Sequence, residues 1–223
     1  MDDRRLPVYL LIDVSGSMDG EPIQAVNNGI QQLVAELRQD PKALDTAWIS
    51  VITFGDTAQQ VIPLTDLESF VAPELTADGM TALGPALSLL CECRDREVKA
   101  NLGTEDHKGD YRPLVYCMTD GQQNEGDFDK GIRDFKSKKW GKYVFCAAGP
   151  DADISDLKRI NSETVIKLDN IQSGTLARYF RWVTQSIRTQ SHQVDAPVAA
   201  LEDNSLAGQP ALFEGMSLAD EEV

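Results

Sequence analysis

The sequence predicts an α/β fold: a doubly wound, mostly parallel six-stranded sheet with one antiparallel edge strand and helices on both faces. Three observations predict it. Apolar runs of about five to eight residues alternate with segments whose apolar residues recur at helical spacing, the pattern of strands joined by crossover helices. The first run is apolar at successive positions, as a strand covered on both faces requires. One strand-to-strand connection, Gly55-Asp56, is short enough to enforce an antiparallel pair.

The elements follow in order. Residues 6–12 form the first strand, which runs into Asp13 and a small, hydroxyl-rich loop. Pro22 suits a first helical turn, and Ile23, Val26, Ile30, Leu33, Val34 and Leu37 line one helix face until Pro41 ends it. Residues 47–54 are dense in β-formers, and 58–64 return from the turn. Pro63 confines that returning strand to an edge. Thr76 to Thr81 is a loop, and Leu83, Ala86, Leu87 and Leu90 mark the next helix. From Glu92 to Arg112 the chain is almost wholly polar, which predicts a helix end and an exposed, mobile loop. Residues 113–118 form a buried strand leading into Thr119-Asp120-Gly121. Phe128, Ile132 and Phe135 share a face of a short helix whose far end carries Lys136, Lys138, Lys139 and Lys142. Basic residues there offset the helix dipole. Strands at 143–148 and 164–168 bracket a short helix at 153–160, and Leu176, Tyr179, Phe180, Val183 and Ile187 line the last helix.

Composition bounds the function. The chain has 223 residues, 42% of them hydrophobic, and a net charge of −15. A domain is expected at 1–190 and an acidic, disordered tail at 191–223, with one docking segment at Ala211-Leu212-Phe213. The tail holds seven acids and no Lys or Arg. An acidic body and tail argue against nucleic-acid binding, which draws its affinity from Lys and Arg on phosphate. No stretch approaches 18 apolar residues, so no membrane span is expected. Cys117 and Cys146 sit in strand-like runs as small hydrophobes, and Cys91 and Cys93 lack zinc-site spacing. A soluble, cytoplasmic protein is the expectation.

In doubly wound sheets ligands bind beyond the strands' carboxyl ends, where the strand order reverses. Asp13 and Asp120 end two such strands and should meet there. With Ser15, Ser17 and the loop residue Thr81 they offer two carboxylates and three hydroxyls, all hard oxygen donors suited to Mg²⁺. Two carboxylates only balance a dication. The metal stays electrophilic, and an Asp or Glu from a partner protein would complete its shell.

Ile12-Asp13-Val14-Ser15-Gly16-Ser17-Met18 resembles the D-x-S-x-S signature of von Willebrand factor A (VWA) domains, which have a Rossmann-like fold. Gly79-Met80-Thr81-Ala82-Leu83 resembles that family's Thr loop, and Met118-Thr119-Asp120-Gly121 its last metal-site motif. The resemblance covers about residues 6–190. It implies a metal-ion-dependent adhesion site (MIDAS), with Ser15, Ser17 and Thr81 as direct ligands and Asp13 and Asp120 partly water-mediated. The ion would be Mg²⁺ or another divalent cation such as Mn²⁺ or Ca²⁺, and the ligand a protein. Within the family, Thr81-Ala82-Leu83-Gly84-Pro85-Ala86-Leu87 and Thr119-Asp120-Gly121 look most like bacterial intracellular proteins of the tellurium-resistance TerY type. Those sit beside a protein kinase and a PP2C-type phosphatase in a stress system. Some relatives carry a cysteine-rich C-terminal zinc module, and this tail has no Cys.

The expected function is therefore metal-dependent protein recognition without catalysis, since no base or nucleophile accompanies the five oxygen donors. His107 and His192 fall in the polar loop and at the tail junction, and no G-x-G-x-x-G or P-loop Lys is present. The rival is a Mg²⁺-dependent phosphatase of the haloacid-dehalogenase type with Asp13 as nucleophile. That chemistry wants a second Asp where Ser15 stands, a later Lys beside the nucleophile and a second acidic metal motif; Asp127 and Asp129 are the candidates for the motif, but Lys130 is on the wrong side of it. The acidic tail is a further source of a carboxylate for the open metal position.

Overall fold

The computed structural model describes residues 4–100, 109–120, 126–150, 152, 154–161, 164–193 and 210–219. Its seven-stranded sheet has the order β3-β2-β1-β4-β5-β6-β7, with β1 at Leu6–Asp13, β2 at Ala47–Phe54, β3 at Ala58–Asp66, β4 at Leu114–Thr119, β5 at Tyr143–Ala148, β6 at Val165–Leu168 and β7 at Met216–Leu218. The five strands from β2 to β6 run parallel. Both edges are antiparallel. The expectation of six strands with one antiparallel edge is corrected to seven strands with two.

Helices α1 (Glu21–Leu37), α2 (Pro41–Thr46) and α6 (Ser173–Gln193) cover one face, and α3 (Leu83–Glu97), α4 (Phe128–Lys136) and α5 (Ile154–Asn161) the other. β1 shows why its run had to be apolar throughout. Val8, Leu10 and Ile12 enter the core beneath α1 and α6, while Tyr9 and Leu11 enter the core beneath α3 and α4. Helices α1 and α6 approach closely because Gly29 has no side chain: a Cβ there would lie 2.2 Å from the Phe180 ring. Pro63 acts as expected. The β2–β3 ladder breaks register between the Ile49–Thr65 and Val51–Ile62 pairs, the interval that contains Pro63, so its missing N–H falls in an irregular stretch of an edge strand.

Three boundaries differ from the sequence expectation. Pro41 does not merely end α1. It opens α2 as the first helical residue, behind Asp40, whose carboxylate accepts from the N–H groups of Lys42 and Ala43, an N-cap in the usual sense. Helix α3 continues through the polar stretch to Glu97, where Gln60 donates to the Glu97 carboxylate and Arg5 to the Glu97 carbonyl. Beyond it, Asp110 pairs with Arg5 at 2.5 Å. The remainder of the expected mobile loop, residues 101–108, lies outside the described residues.

The tail is the third. The last helix runs to Gln193, and residues 210–219 lie against the body. β7 pairs with β6, and Met216 is buried. Trp182 Nε1 donates to the Pro210 carbonyl at 2.9 Å, and the Arg178 guanidinium lies over the Phe213 ring. The docking segment expected at 211–213 is in place, with Leu212 and Phe213 packed on the core. The described part of the tail is thus occupied at the β6 edge; residues 194–209 and 220–223 lie outside the described residues. No described helix is long and apolar enough to cross a membrane.

Ending the chain after Gln193 should lower the melting temperature by about 5–10 °C. Burial of Met216 alone is worth about 1.5–3 kcal/mol, and each kcal/mol moves a domain of this size by roughly 2–4 °C. Calorimetry of the two lengths checks this, and equal melting temperatures would show that β7 adds nothing.

Candidate metal centre

β1 lies between β2 and β4 and is parallel to both, so its carboxyl end stands where the sheet order reverses. Such a crevice is the usual ligand position in open α/β sheets. Asp13 ends β1 there with no exposed surface. Its Oδ1 accepts from the Ser15 N–H at 2.8 Å, and its Oδ2 accepts from Thr119 Oγ1 at 2.5 Å. Thr119 is the last residue of β4.

The loop after Asp13 folds back in a short 3-10 turn at Gly16–Met18, closed by the Met18 N–H on the Ser15 carbonyl and anchored by the buried Met18 side chain. This brings Ser15 Oγ within 3.1 Å of Ser17 Oγ. Ser17 Oγ in turn donates to Asp120 Oδ1 at 2.8 Å. Since Asp120 follows Thr119, the contacts close a ring: Thr119, Asp13, Ser15, Ser17, Asp120.

Thr81, the fifth predicted residue, is buried and arrives on a separate segment. Backbone hydrogen bonds tie that segment to the ring. The Gly16 N–H donates to the Gly79 carbonyl at 3.0 Å, the Asp78 N–H to the Val14 carbonyl at 2.8 Å, and the Ala82 N–H to the Gly55 carbonyl at 2.9 Å. Asp56 Oδ1 accepts from the Met80 N–H at 2.7 Å. Gly79 is required twice over: its φ is +81°, and a Cβ would fall 2.3 Å from the Asp56 carboxylate. All five predicted residues are therefore at one crevice, four of them in direct sequence of contact. Gly121 lies outside the described residues.

Two supporting residues escaped the sequence reading. Thr119 holds Asp13, and its signal was its place immediately before the strand-end Asp. Asp56 pins the Thr81 segment, although Gly55-Asp56 read only as a turn.

Burial pushes the Asp13 carboxyl up to about 6, against the hydrogen bonds from Ser15 and Thr119, and the Asp120 charge adds to the rise. Burial also raises Asp120, against the Ser17 hydrogen bond. No Lys or Arg is among the main causes of either shift. Two carboxylates thus stand together, poorly solvated and uncompensated, beside hydroxyl oxygens. That donor set suits a hard divalent cation. Among the described residues no three His, Cys, Asp or Glu side chains form a metal-holding group, because most of the donors here are hydroxyls.

A doubly wound sheet with an oxygen-donor crevice at its switch point defines the class. A family model for the von Willebrand factor type A domain matches residues 8–177, and the chain belongs to that family. An uncharacterised protein of Synechocystis sp. is 31% identical over 138 residues, covering 59% of this chain and 29% of the relative. Among solved structures, a von Willebrand factor type A protein from Catenulispora acidiphila superposes with a TM-score of 0.64 at 20% identity, covering 83% of this chain and 43% of that one. Proximal thread matrix protein 1 of the mussel byssus, solved with a zinc-occupied MIDAS motif, gives 0.58 at 17% identity over 82% and 48% of the two chains. The chain spans less than a third of the curated relative and about half or less of these structures.

The raised Asp13 sets a pH dependence for the metal-free protein. A carboxyl near 3.8 unfolded and about 6 folded binds its proton more tightly in the native state. Its contribution is fully present below pH 3.8 and is lost as pH rises through 6, a loss of about 2–3 kcal/mol. In EDTA, Asp13→Asn should therefore gain stability relative to the native chain by that amount between pH 4 and 7. Chemical denaturation across this range checks it; a constant difference would mean that Asp13 is an unstrained acid.

Proposed function

We propose that this chain is a protein-recognition module whose binding depends on a divalent cation at the β1–β4 crevice, and that it works without catalysis. The observation that carries this is the closed ring from Thr119 through Asp13, Ser15 and Ser17 to Asp120. It holds hard oxygen donors in place around uncompensated charge. Ser15, Ser17 and Thr81 would hold the ion directly, with Asp13 and Asp120 partly through water. Mg²⁺ fits first, with Mn²⁺ or Ca²⁺ as substitutes. The zinc-occupied motif of the mussel matrix protein supports divalent chemistry on this fold. Bound there, the ion supplies an electrophilic position for a partner's Asp or Glu.

The phosphatase alternative finds less support. Asp13 has no exposed surface, and both of its oxygens already accept hydrogen bonds. Lys130, the nearest lysine in sequence to the last motif, pairs with Asp134 at 2.6 Å. Asp127 caps α4, and Asp129 pairs with Arg159. His192 sits on Asp40, at the α1–α2 junction beyond the other end of the sheet. His107 lies outside the described residues.

The finer assignment rests on the motif resemblance. We place the chain with the bacterial cytoplasmic tellurium-resistance type, acting in a stress response with a kinase and a PP2C-type phosphatase as partners. The four cysteines are buried and unpaired, which accords with a reducing compartment.

Saturating Mg²⁺ should raise the melting temperature by roughly 5–10 °C, the effect of ligand at about a hundredfold its Kd. Asp13→Ala and Thr81→Ala should abolish that rise while retaining a native circular dichroism spectrum. A pulldown from the native host should recover a partner in Mg²⁺ and lose it in EDTA. Recovery of the same partner by Asp13→Ala in EDTA would remove the metal from recognition.

A further inference from the structure

We propose that the partner segment read by this crevice carries its acidic residue among basic residues, with an apolar side chain beside it. The inference rests on the metal-dependent reading above and names the chemistry of its ligand.

Charge is unevenly divided between the two ends of the sheet. The described positions that follow the strands' carboxyl ends, together with the Thr81 segment at 76–82, include Asp19, Asp56, Asp78, Asp120, Asp127 and Asp169 and no Lys or Arg. Basic residues gather at the opposite end, where α1, α3, α4 and α6 finish: Arg38, Arg94, Arg96, Lys136, Lys138 and Arg188, of which Arg94 and Lys138 pair with Asp95, Arg96 with Glu97 and Arg188 with Asp40.

Three of the acids border the crevice. Asp19 is two residues past Ser17 and exposed. The exposed Asp78 donates its N–H to the Val14 carbonyl, and its carboxylate accepts from the Gly79 N–H at 2.8 Å. The exposed Asp56 is fixed on the Met80 N–H. Their positions are therefore set by the same loops that set the ligands.

A dication neutralises Asp13 and Asp120 and leaves Asp19, Asp56 and Asp78 uncompensated at the rim. Those charges act over about 8 Å at physiological salt. A partner carboxylate approaching alone would be drawn by the ion and repelled by the rim. Lys or Arg on either side of it converts that repulsion to attraction, and it raises the association rate as well as the specificity.

Met80 supplies the apolar element. It is 44% exposed, and among the described residues the only other large hydrophobic side chain so exposed is Val71. It stands between Gly79 and the ligand Thr81, with its backbone held by Asp56. Methionine is enriched at protein interfaces, and this one is adjacent in sequence to Thr81, one of the proposed ion ligands.

Fluorescein-labelled peptides with one central Glu test the inference against the full chain by anisotropy. The probes carry Leu beside the Glu and are flanked by Lys or by Ser, with Glu→Gln controls. In saturating Mg²⁺ and low salt, the Lys-flanked peptide should bind at least tenfold more tightly than the Ser-flanked one. High salt, or the pair Asp19→Asn and Asp78→Asn, should erase the difference, and Met80→Ser should weaken the Lys-flanked peptide several-fold. Equal affinity for Lys and Ser flanks overturns this inference and leaves metal-dependent recognition standing. Equal binding of the Gln control, or binding unaffected by EDTA, overturns the metal reading itself. Failure of every Glu peptide to bind protein that Mg²⁺ stabilises also overturns the inference.

Discussion

A carboxylate with no exposed surface is costly unless something offsets its charge, and in this protein that group is Asp13. Its two oxygens are held from two directions, by the Thr119 hydroxyl on the neighbouring strand and by the Ser15 backbone on its own loop. The first contact locks the ends of β1 and β4 together. The second turns the chain back so that Ser15 and Ser17 face the gap between them. Both offsets are partial, because the carboxyl stays shifted up to about 6. A divalent cation held there, as proposed above, would supply the remainder, and that would tie the buried acid and the hydroxyl donors to one function.

The surrounding loops serve the same geometry. Gly79 permits a left-handed backbone and leaves room for Asp56, which anchors Met80 and so fixes the Thr81 segment. The Gly16 N–H and the Val14 carbonyl tie that segment to the β1 loop through backbone groups alone. Three pieces of chain far apart in sequence are thereby held together without a Lys or Arg among them. That absence matters as much as the donors, since a nearby Lys or Arg would take the place proposed for a metal.

Much of this was legible in the sequence, for definable reasons. The buried strands announce themselves because both faces of β1 must be apolar. The β2–β3 hairpin follows from a turn too short for a crossover, and its edge position from Pro63. The five oxygen residues were found because they sit at strand ends or in a small-residue loop, where side chains have no packing role to explain them. The failures are equally physical. Helix α2 was hidden because Pro41 reads as a terminator of α1, yet the same residue opens a new helix behind the Asp40 cap. The length of α3 was underestimated because its last turn is held by tertiary contacts to Gln60 and Arg5, which no periodicity records. β7 is three residues in an acidic segment, and its pairing depends on an edge of β6 that sequence alone does not reveal. Thr119 was read within the strand-end motif but given no role, since nothing in its type distinguishes a hydroxyl aimed at Asp13 from one aimed elsewhere.

The oxygen donors of this crevice are proposed to hold a divalent ion. Crystals grown with Mn²⁺ and measured at the manganese edge test it directly, because the anomalous signal locates the ion without reference to the protein's density. A peak is expected roughly 2–2.5 Å from the hydroxyl oxygens of Ser15, Ser17 and Thr81, with Asp13 and Asp120 beside it. Absence of a peak there from crystals saturated with Mn²⁺, or a peak only at another site, would contradict it.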